Sequence, residues 1–380
     1  MTNILSPVSI LEYGSTFLRL AIYDKNMFHK RLFFEKKIDF TRKDNFFKDQ
    51  LISEIITDAE KELGQYLNDI LLMFDSSTIF SSDLSIQKNF EKKVITNQDI
   101  NYLINDCENK LKLNNKEKDI LHIIISSIML DNNYVQDVDN YKKESSKAII
   151  NLKFILVDKK AYETIKQIFL KKHISIESVF CTSYIKSLGL INKLNISGYS
   201  SFIDIGLKKS SITIFKDKNL LYLNNTHIGG DHITKDISKI LKLDYRTSEA
   251  NKLKFYKSNL NENISNQDQL LKKIINSRLE EIIEILFLNC PLTLDTLPNS
   301  GLKLFFTGNG SKVLNENLLT FGSEFNFINE MSIINEKGYD NCNSAIEFNF
   351  NNKKIQPTKS FLTPENKGFF EKLFSYFSKN

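Results

Sequence analysis

The sequence predicts an α/β protein built from two lobes. The chain has 380 residues, which is too long for one ordinary hydrophobic core and suits two domains of about 150–200 residues. Apolar residues make up 41% and charged residues 26% of the chain, which is globular usage. Short runs that alternate like strands are interleaved with longer runs whose apolar residues recur at helical spacing;. These observations predict mixed sheets and helices around more than one core.

Charge and cysteine usage exclude several classes of protein. The formal net charge of +5 is spread along the chain without a dense run of Lys and Arg, so no nucleic-acid partner is predicted. The cysteines lie far apart, with no CxxC motif and no His nearby, so neither a zinc site nor a disulfide framework is predicted. A reducing cytoplasm is the simplest setting. We find no signal peptide and no apolar run of about 18 residues, so we expect that the chain does not cross a membrane by itself.

The most informative stretch runs from Ser200 to Asp236. It predicts a hairpin of two strands, Ser201–Asp204 and Ser211–Phe215, closed by a turn that begins at Gly206;. A third strand follows, and then Gly229, Gly230 and Asp231 lead into a pattern of apolar residues at helical spacing;. A carboxylate at a strand end, followed by a helix N-terminus, suits the binding of phosphate and metal.

Four motifs occur in the order in which the actin-like ATPases carry them. They are ILEYGST at 10–16, DIGLKKS at 204–210 with GGDHITKDI at 229–237, IINSRLEEI at 274–282, and FFTGNGS at 305–311. They resemble, in that order, the first phosphate loop, the second phosphate loop, the nucleoside-contacting helix and the adenosine loop. GGDHITKDI is most similar to the FtsA cell-division family. The resemblance implies a two-lobed actin-like fold of ribonuclease H-like repeats, with an inserted FtsA-type subdomain and a C-terminal amphipathic helix.

The resemblance also implies a site for ATP and Mg²⁺ between the lobes. The residues that match the family's nucleotide contacts are Glu12, Gly14, Ser15, Thr16, Asp204, Gly206, Lys208, Lys209, Ser210, Gly229, Gly230, Asp231, Arg278, Glu281, Gly308, Asn309, Gly310 and Ser311. Asp204 is implied to hold Mg²⁺ through water. No residue is assigned a catalytic role, because His232 has no visible base or nucleophile beside it.

Several of these residues have an alternative interpretation that needs no ligand. Glu12 suits the exposed acid of an ordinary hairpin turn. Arg278 and Glu281 are spaced to form an ion pair one helical turn apart. Asp231 or Thr234 suits the cap of a helix.

The second phosphate loop departs from the family pattern. Where the family has G-G-T-T-D, this chain has Leu207, Lys208, Lys209, Ser210 and Ser211. Glycine lets backbone N–H groups approach phosphate closely, and a bulkier residue in such a conformation costs about 1–3 kcal/mol. The lysines can bind phosphate as point charges. The sequence therefore predicts nucleotide binding with weak or absent hydrolysis.

The chain divides into five predicted parts, the first of them in two segments. They are a first lobe at 1–82 and 159–198, an inserted FtsA-type subdomain at 83–158, a second lobe at 199–350 with an outer helical subdomain at 225–300, a linker at 351–367 and an amphipathic helix at 368–380. Within the insert we expect residues 88–112 to form one charged helix, followed by two apolar strands.

The last thirteen residues predict a helix with one aromatic face. Its apolar residues recur at i, i+3, i+4 and i+7, and they are Phe369, Phe370, Leu373, Phe374 and Phe377. A polar linker with Pro357 and Pro364 precedes them. Such a short basic helix is typical of an interfacial membrane anchor. The alternative is a terminal helix docked on the body of the protein.

The resemblance implies a cell-division adaptor with ATP as a structural or regulatory ligand. Such a protein is cytoplasmic and lies on the inner face of the cell membrane at the septum. Its implied partners are FtsZ filaments, other copies of itself in actin-like oligomers, later division proteins and the membrane surface. Two alternatives stay open, namely an active actin-like ATPase that drives polymer dynamics and a PilM-like pilus assembly protein.

Overall fold

A computed structural model of the protein describes residues 7–24, 32–40, 45–257, 265–288, 290, 301–314, 328–334 and 340–352. The strands are β1 (Pro7–Tyr13), β2 (Phe17–Asp24), β3 (Leu32–Asp39), β4 (Asp69–Phe74), β5 (Phe80–Val94), β6 (Lys118–Leu130), β7 (Asn133–Val135), β8 (Glu144–Asp158), β9 (Ser175–Cys181), β10 (Tyr199–Ile205), β11 (Ser210–Lys216), β12 (Asn219–Thr226), β13 (Leu302–Thr307) and β14 (Ile328–Ile333). The helices are α1 (Asn45–Leu63), α2 (Asn97–Asn114), α3 (Lys160–Lys171), α4 (Thr182–Leu194), α5 (Gly230–Leu241), α6 (Tyr245–Lys257), α7 (Asn266–Phe287) and α8 (Asp340–Asn352), with a 3₁₀ turn at Asn309–Val313. The predicted anchor at 368–380 lies outside the described residues.

Two sheets repeat one arrangement of strands. The first sheet has the order β3-β2-β1-β4-β9, and the second contains the run β12-β11-β10-β13-β14. In each sheet the first three strands are antiparallel, and the last two run parallel to the first strand of the repeat. The predicted mixed α/β fold with two repeats is therefore confirmed.

The strands between the two halves of the first repeat form an extension of the second sheet. β5, β8, β6 and β7 pair in that order, and β5 joins β12 through the pair Phe80 and Asn224. α2 packs on this extension through Ile100, Leu103 and Ile104, which share an apolar cluster with β6 and β8. The division of the chain at residues 83–158 stays a prediction.

The expected helix at 88–112 was wrong in its first third. Residues up to Val94 belong to β5 and pair with β8, and the helix begins after Thr96. The Thr96 side chain accepts a hydrogen bond from the backbone N–H of Asp99, while the Asp99 side chain accepts from the Thr96 N–H. This capping box fixes the helix start, because two otherwise unpaired N–H groups are satisfied there.

Helices α4 and α8 cross each other and connect the two repeats. In α4, the Ser187 and Thr213 hydroxyls are 2.7 Å apart, which ties the helix to β11 of the second sheet. In α8, Cys342 and Ile346 are fully buried in the core that contains β1. We predict no helix at 340–352 from sequence and assign residues up to 350 to the second lobe, whereas α8 packs against β1 of the first sheet and α4.

The second sheet is covered on both faces. Along β10, Ile203 and Ile205 pack with α5 and α7, whereas Phe202 points to the other face and packs with Phe215. Tyr184 of α4 stacks on Phe215 from that side. This alternation is the period of two expected of a strand. It fixes the register of β10 and β11, and therefore the position of the turn between them.

Candidate functional site

A cavity of about 710 Å³ lies between the two repeats. Its wall includes the β1–β2 turn, the β10–β11 turn, the start of α4, part of α6 and the turn after β13. The two turns are the first hairpins of their repeats, so the repeated fold brings them to one space. Small-molecule sites commonly have volumes of roughly 300–1,000 Å³, so this cavity has room for a nucleotide-sized ligand.

The structure brings most of the predicted site residues to this cavity. Those in its wall are Glu12, Ser15, Thr16, Asp204, Gly206, Gly230, Gly308, Asn309, Gly310 and Ser311. Those outside the wall are Gly14, Lys208, Lys209, Ser210, Gly229, Asp231, Arg278 and Glu281.

The first turn is a tight hairpin. The Gly14 N–H donates to the Phe17 carbonyl at 2.9 Å. A Cβ at Gly14 would lie 2.6 Å from the Phe17 ring, so any larger residue there would displace that ring. Ser15 and Thr16 follow in the cavity wall, where their hydroxyl groups can donate to an anionic ligand.

Glu12 is buried at the end of β1 and is not the exposed acid of a simple turn. Its Oε2 accepts from Arg19 Nη1 at 2.7 Å, and its Oε1 accepts from Asn341 Nδ2 at 2.6 Å. The Arg19 and Glu12 side chains are only 7% and 4% exposed. Both oxygens of this carboxylate are therefore held by the chain itself, one of them by a fixed cation.

The second turn is fastened to the start of α5. Inside the turn, the Gly206 N–H donates to the Lys209 carbonyl at 2.9 Å. The Gly230 N–H donates to the Gly206 carbonyl at 2.9 Å, and the Asp231 N–H donates to the Leu207 carbonyl at 2.7 Å. The first N–H groups of α5, which a helix would offer to phosphate, are thus occupied by the turn.

The start of α5 has the features of a helix entrance. The Gly229 N–H donates to His232 Nδ1 at 3.3 Å, and Asp231 pairs with Tyr245 and Lys235, each at 2.7 Å. A Cβ at Gly229 would lie 2.7 Å from the Gly206 carbonyl oxygen. The glycine is therefore needed where the helix and the turn approach, which favours a helix entrance that needs no ligand. The expected cap at Asp231 or Thr234 was wrong, because the residue at the cap position of α5 is Gly229.

Asp204 carries an ion pair at the cavity wall. Its Oδ2 lies 2.6 Å from Nζ of Lys186, which is one turn inside α4 and only 5% exposed. Both residues line the cavity. A buried ammonium is stable only when it is paired, so Asp204 stabilises Lys186 in this position.

The basic part of the second turn points away from the cavity wall. Lys209 Nζ lies 4.0 Å from Asp75 at the end of β4, and the buried Ser210 hydroxyl donates to the Ile228 carbonyl at 2.8 Å. Burial raises the pKa of Asp75 above its ordinary value, Lys209 opposes this shift, and Asp204 adds to it. Lys209 therefore links the second turn to the first repeat.

The turn after β13 closes another side of the cavity. Gly308 has φ of +85°, and a Cβ there would lie 2.2 Å from Asp204 Oδ1 and 2.6 Å from the Ile205 carbonyl oxygen. The Ser311 hydroxyl donates to the Gly308 carbonyl at 2.7 Å. Glycine is required at 308 both by the left-handed backbone and by this close approach.

Arg278 and Glu281 do not reach the cavity wall. Arg278 binds Asp236 of α5 through two nitrogens, at 2.5 and 3.0 Å, and also pairs with Glu281. These bonds fasten α7 to α5. The geometry supports the ion-pair interpretation and gives no support to a nucleoside contact.

Sequence reasoning missed the contribution of α6. Glu249, Lys252 and Leu253 line the cavity, and the buried Lys252 Nζ lies 3.0 Å from the Gly230 carbonyl and 2.7 Å from Glu249. The segment SEANKLKF at 248–255 resembles a segment of the FtsA family. That resemblance was the available signal for a role in the site.

Charge makes the cavity more suitable for an anion than for a divalent cation. Five basic and three acidic residues line it, namely Arg19, Lys37, Lys186, Lys252 and Lys312 against Glu12, Asp204 and Glu249. Each of the three carboxylates is already paired with a cation of the chain. Among the described residues, no group of three or more His, Cys, Asp or Glu is arranged to hold a metal. The donor set therefore fits a polyphosphate, whereas it offers Mg²⁺ one oxygen of Asp204 and one of Glu249 and neither oxygen of Glu12.

Comparison with solved structures defines the class of fold. The chain is similar to a protein in the PilM–PilN type IV pilus biogenesis complex, with a TM-score of 0.57 and 12% identity, over 86% of this chain and 88% of that chain. It is also similar to MreB5 of Spiroplasma citri bound to AMPPNP, with a TM-score of 0.53 and 10% identity, over 92% of this chain and 98% of that chain. With the repeated sheets, these similarities show the two-lobed actin-like fold.

Comparison of sequences points to one family within that class. Residues 201–315 match the family model of cell division protein FtsA. Cell division protein FtsA from two strains of Helicobacter pylori is 25% identical to this chain over 162 residues, covering 43% of this chain and 32% of each relative. The match thus spans about a third of the relatives' length. The chain is FtsA-like in its second repeat, and the predicted resemblance is confirmed.

Proposed function

We propose that the chain binds a nucleoside polyphosphate in the cavity and holds it without efficient hydrolysis, acting as a scaffold. The observation that carries this proposal is the convergence of two hairpin turns and five basic residues on one cavity. The similar MreB5 structure holds AMPPNP, which supports a nucleotide as the ligand.

Different parts of the wall have different roles in this proposal. The hydroxyl groups of Ser15 and Thr16 bind phosphate oxygens, and Arg19 and Lys186 supply fixed positive charge. The turn from Gly308 to Ser311 contacts the nucleoside. A bound ATP supplies a γ-phosphoryl group, whose transfer to water needs a positioned nucleophile.

Hydrolysis is weak in this proposal because the described part of the cavity wall lacks a carboxylate suited to orient water. Glu12, Asp204 and Glu249 are each held in an ion pair, so each has an oxygen committed to a cation of the chain instead of to an attacking water. Leu207 also stands where the family has glycine. The alternative of an active ATPase would require at least one of these pairs to open in each cycle.

For the cellular role, we propose an adaptor that tethers FtsZ filaments to the inner face of the cytoplasmic membrane at the division site. The match of residues 201–315 to cell division protein FtsA supports this role. The helix with an aromatic face that the sequence predicts at 368–380 supports attachment to the membrane. In this proposal the segment 83–158 contacts neighbouring copies or later division proteins. Within the described residues, no helix has the length and apolar character needed to span a bilayer.

This role is tested by sedimenting FtsZ filaments with liposomes. We expect filaments to pellet with the liposomes only when the full chain is present, and a chain truncated after Lys367 to leave them in the supernatant. Filaments that do not pellet with the liposomes in the presence of the full chain would contradict the adaptor role.

A PilM-like pilus assembly role is the second candidate, favoured by the similarity to the PilM–PilN complex. The two roles differ in partner. Immobilised chain should retain purified FtsZ and not PilN if the adaptor role is correct, and the reverse result would favour pilus assembly.

A further inference from the structure

The three carboxylates that line the cavity share one feature. Each has a side-chain cation within 2.7 Å, namely Arg19 for Glu12, Lys186 for Asp204, and Lys252 for Glu249. The three cations are 5–7% exposed, so solvent does not displace them. Each of these carboxylates thus has at least one oxygen that is already committed to a buried cation and is not available to a metal.

Magnesium bound beside a nucleotide normally takes one or two carboxylates together with phosphate oxygens and water. At Glu12 both oxygens are occupied, by Arg19 and by Asn341. At Asp204 one oxygen accepts from Lys186, and the other lies against Gly308. A metal bound directly at Glu12 would therefore have to displace Asn341 or the buried Arg19, and displacing Arg19 would leave an unpaired buried charge. At Asp204 a metal could reach Oδ1 alone, because Oδ2 is held by Lys186.

The same cations can neutralise a polyphosphate. The cavity wall carries two more positive than negative side chains before any ligand enters. Lys186 and Arg19 lie beside the two hairpin turns that the fold brings together, and ammonium and guanidinium groups form charge-assisted hydrogen bonds to phosphate. Four of the five lining cations already pair with carboxylates of the chain, Lys37 among them through Asp39 at 2.8 Å, so the protein supplies a part of the charge that a divalent cation would otherwise supply.

We propose that this cavity binds a nucleoside polyphosphate as the free anion, without a divalent cation, and that Lys186 and Arg19 act as its fixed counter-cations. This inference rests on the proposed nucleotide site and adds the form of the ligand. Lys186 has the further role of keeping Asp204 from recruiting a metal.

The test is an equilibrium titration of the full chain with a fluorescent ATP analogue, in Mg²⁺ and in EDTA. The wild-type protein should bind with Kd values that agree within about twofold between the two buffers, because no metal takes part. Binding that is weaker in EDTA by about tenfold or more would overturn the inference and leave the nucleotide site standing. Absence of binding in both buffers would overturn the proposed site and this inference with it.

Lys186→Met provides the second arm. It should weaken binding in EDTA by about tenfold or more, since a charge-assisted contact is lost, and Mg²⁺ should now restore affinity because Asp204 is released. Adding Asp204→Asn should abolish that restoration.

Lys153→Met is the matched control, because Lys153 is equally buried and pairs with Asp83 at 2.5 Å in the β5–β8 extension. It should behave as wild type in both buffers. Thermal melts of all variants identify any that fail to fold. If folded Lys186→Met binds the ATP analogue with the same Kd in Mg²⁺ and in EDTA, the proposed role of Lys186 is overturned.

Discussion

Gly189 of α4 lies directly against Ser344 of α8. A Cβ placed on Gly189 would be 1.8 Å from the Ser344 hydroxyl oxygen and 2.5 Å from its Cβ. The two helices therefore approach more closely than any side chain at 189 permits. Because α4 packs on the second sheet and α8 on β1 of the first, this crossing holds the repeats, and hence the two walls of the cavity, in place.

Gly189→Ala should destabilise the protein. Overpacking a close helix crossing costs about 1–3 kcal/mol, so we expect the free energy of unfolding in chemical denaturation to fall by that amount. In the double variant with Ser344→Gly, the nearest remaining atom is the Cα of residue 344 at 3.6 Å, an ordinary contact. The double variant should regain most of the loss, measured as a coupling energy against Ser344→Gly alone. Additive effects of the two substitutions would show that the helices do not meet as described.

Gly308→Ala should weaken nucleotide binding by more than its effect on the free energy of unfolding can explain. Gly308 and Gly198 both have positive φ, but a Cβ at Gly308 would contact Asp204 whereas a Cβ at Gly198 has no atom within 4 Å. Both substitutions should lower the free energy of unfolding by about 1 kcal/mol or more, from backbone strain. Only Gly308→Ala should also raise the Kd for nucleotide, by about tenfold, or about 1.4 kcal/mol. Equal affinities of the two variants would contradict the assignment of this turn to the site.

His122 makes stability depend on pH. Its Nε2 accepts the Cys181 N–H at 2.9 Å, and its ring packs on Phe180, Tyr184 and Phe348. Burial lowers the pKa of His122 from 6.5 to about 3, so between these values the unfolded chain binds a proton that the folded chain does not. The contribution of neutral His122 to the free energy of unfolding is therefore fully present well above pH 6.5. It is lost as pH decreases, by up to about 1.4 kcal/mol per pH unit.

The pH prediction is checked with His122→Gln, whose amide oxygen can accept the same N–H without titrating. Denaturation midpoints from pH 7 to pH 4 should decline less steeply in this variant than in the wild type. The exposed His173 is the control, and His173→Gln should keep the wild-type slope. Identical slopes in all three proteins would remove His122 as the source of the effect.

The aromatic face at 368–380 should anchor the chain to membranes weakly and reversibly. A short helix is marginal in water, so ordering on the lipid surface offsets part of the energy gained by burying the rings, about 25 cal/mol per Å² of apolar surface. Oligomers should bind more firmly through avidity. We expect Phe374→Glu and a truncation after Lys367 to lose liposome sedimentation. Equal pelleting of both variants and the wild type would eliminate this segment as the anchor.

Local patterns were sufficient to predict most of the repeated core. Strands such as β4 and β13 carry a short apolar run, and helices such as α5 and α7 carry helical spacing, within the segment itself. Helix α8 was missed because its sequence is rich in Asn, which has low intrinsic helix propensity. The buried set Cys342, Ala345, Ile346 and Asn349 has helical spacing, and packing against α4 and β1 overrides the propensity.

The site residues likewise divide into those that a local motif predicts and those that depend on packing between elements. Glycines and hydroxyl residues in contiguous motifs, such as Gly308 and Ser15, were predicted because the motif itself forms the turn. Lys186 and Arg19 were missed, since nothing near them in sequence shows that α4 and β2 aim them at Asp204 and Glu12. Those pairs depend on how elements pack, which short motifs do not encode.

We propose that the protein holds a nucleotide without hydrolysing it. The most direct test measures the fraction of protein with bound ATP and the release of phosphate in one sample of the full chain over several hours. We predict saturable ATP binding, with phosphate release in Mg²⁺ no faster than in a protein-free blank. Asp204→Ala should not change that release. Steady Mg²⁺-dependent release that Asp204→Ala abolishes would show an active hydrolase and contradict the account.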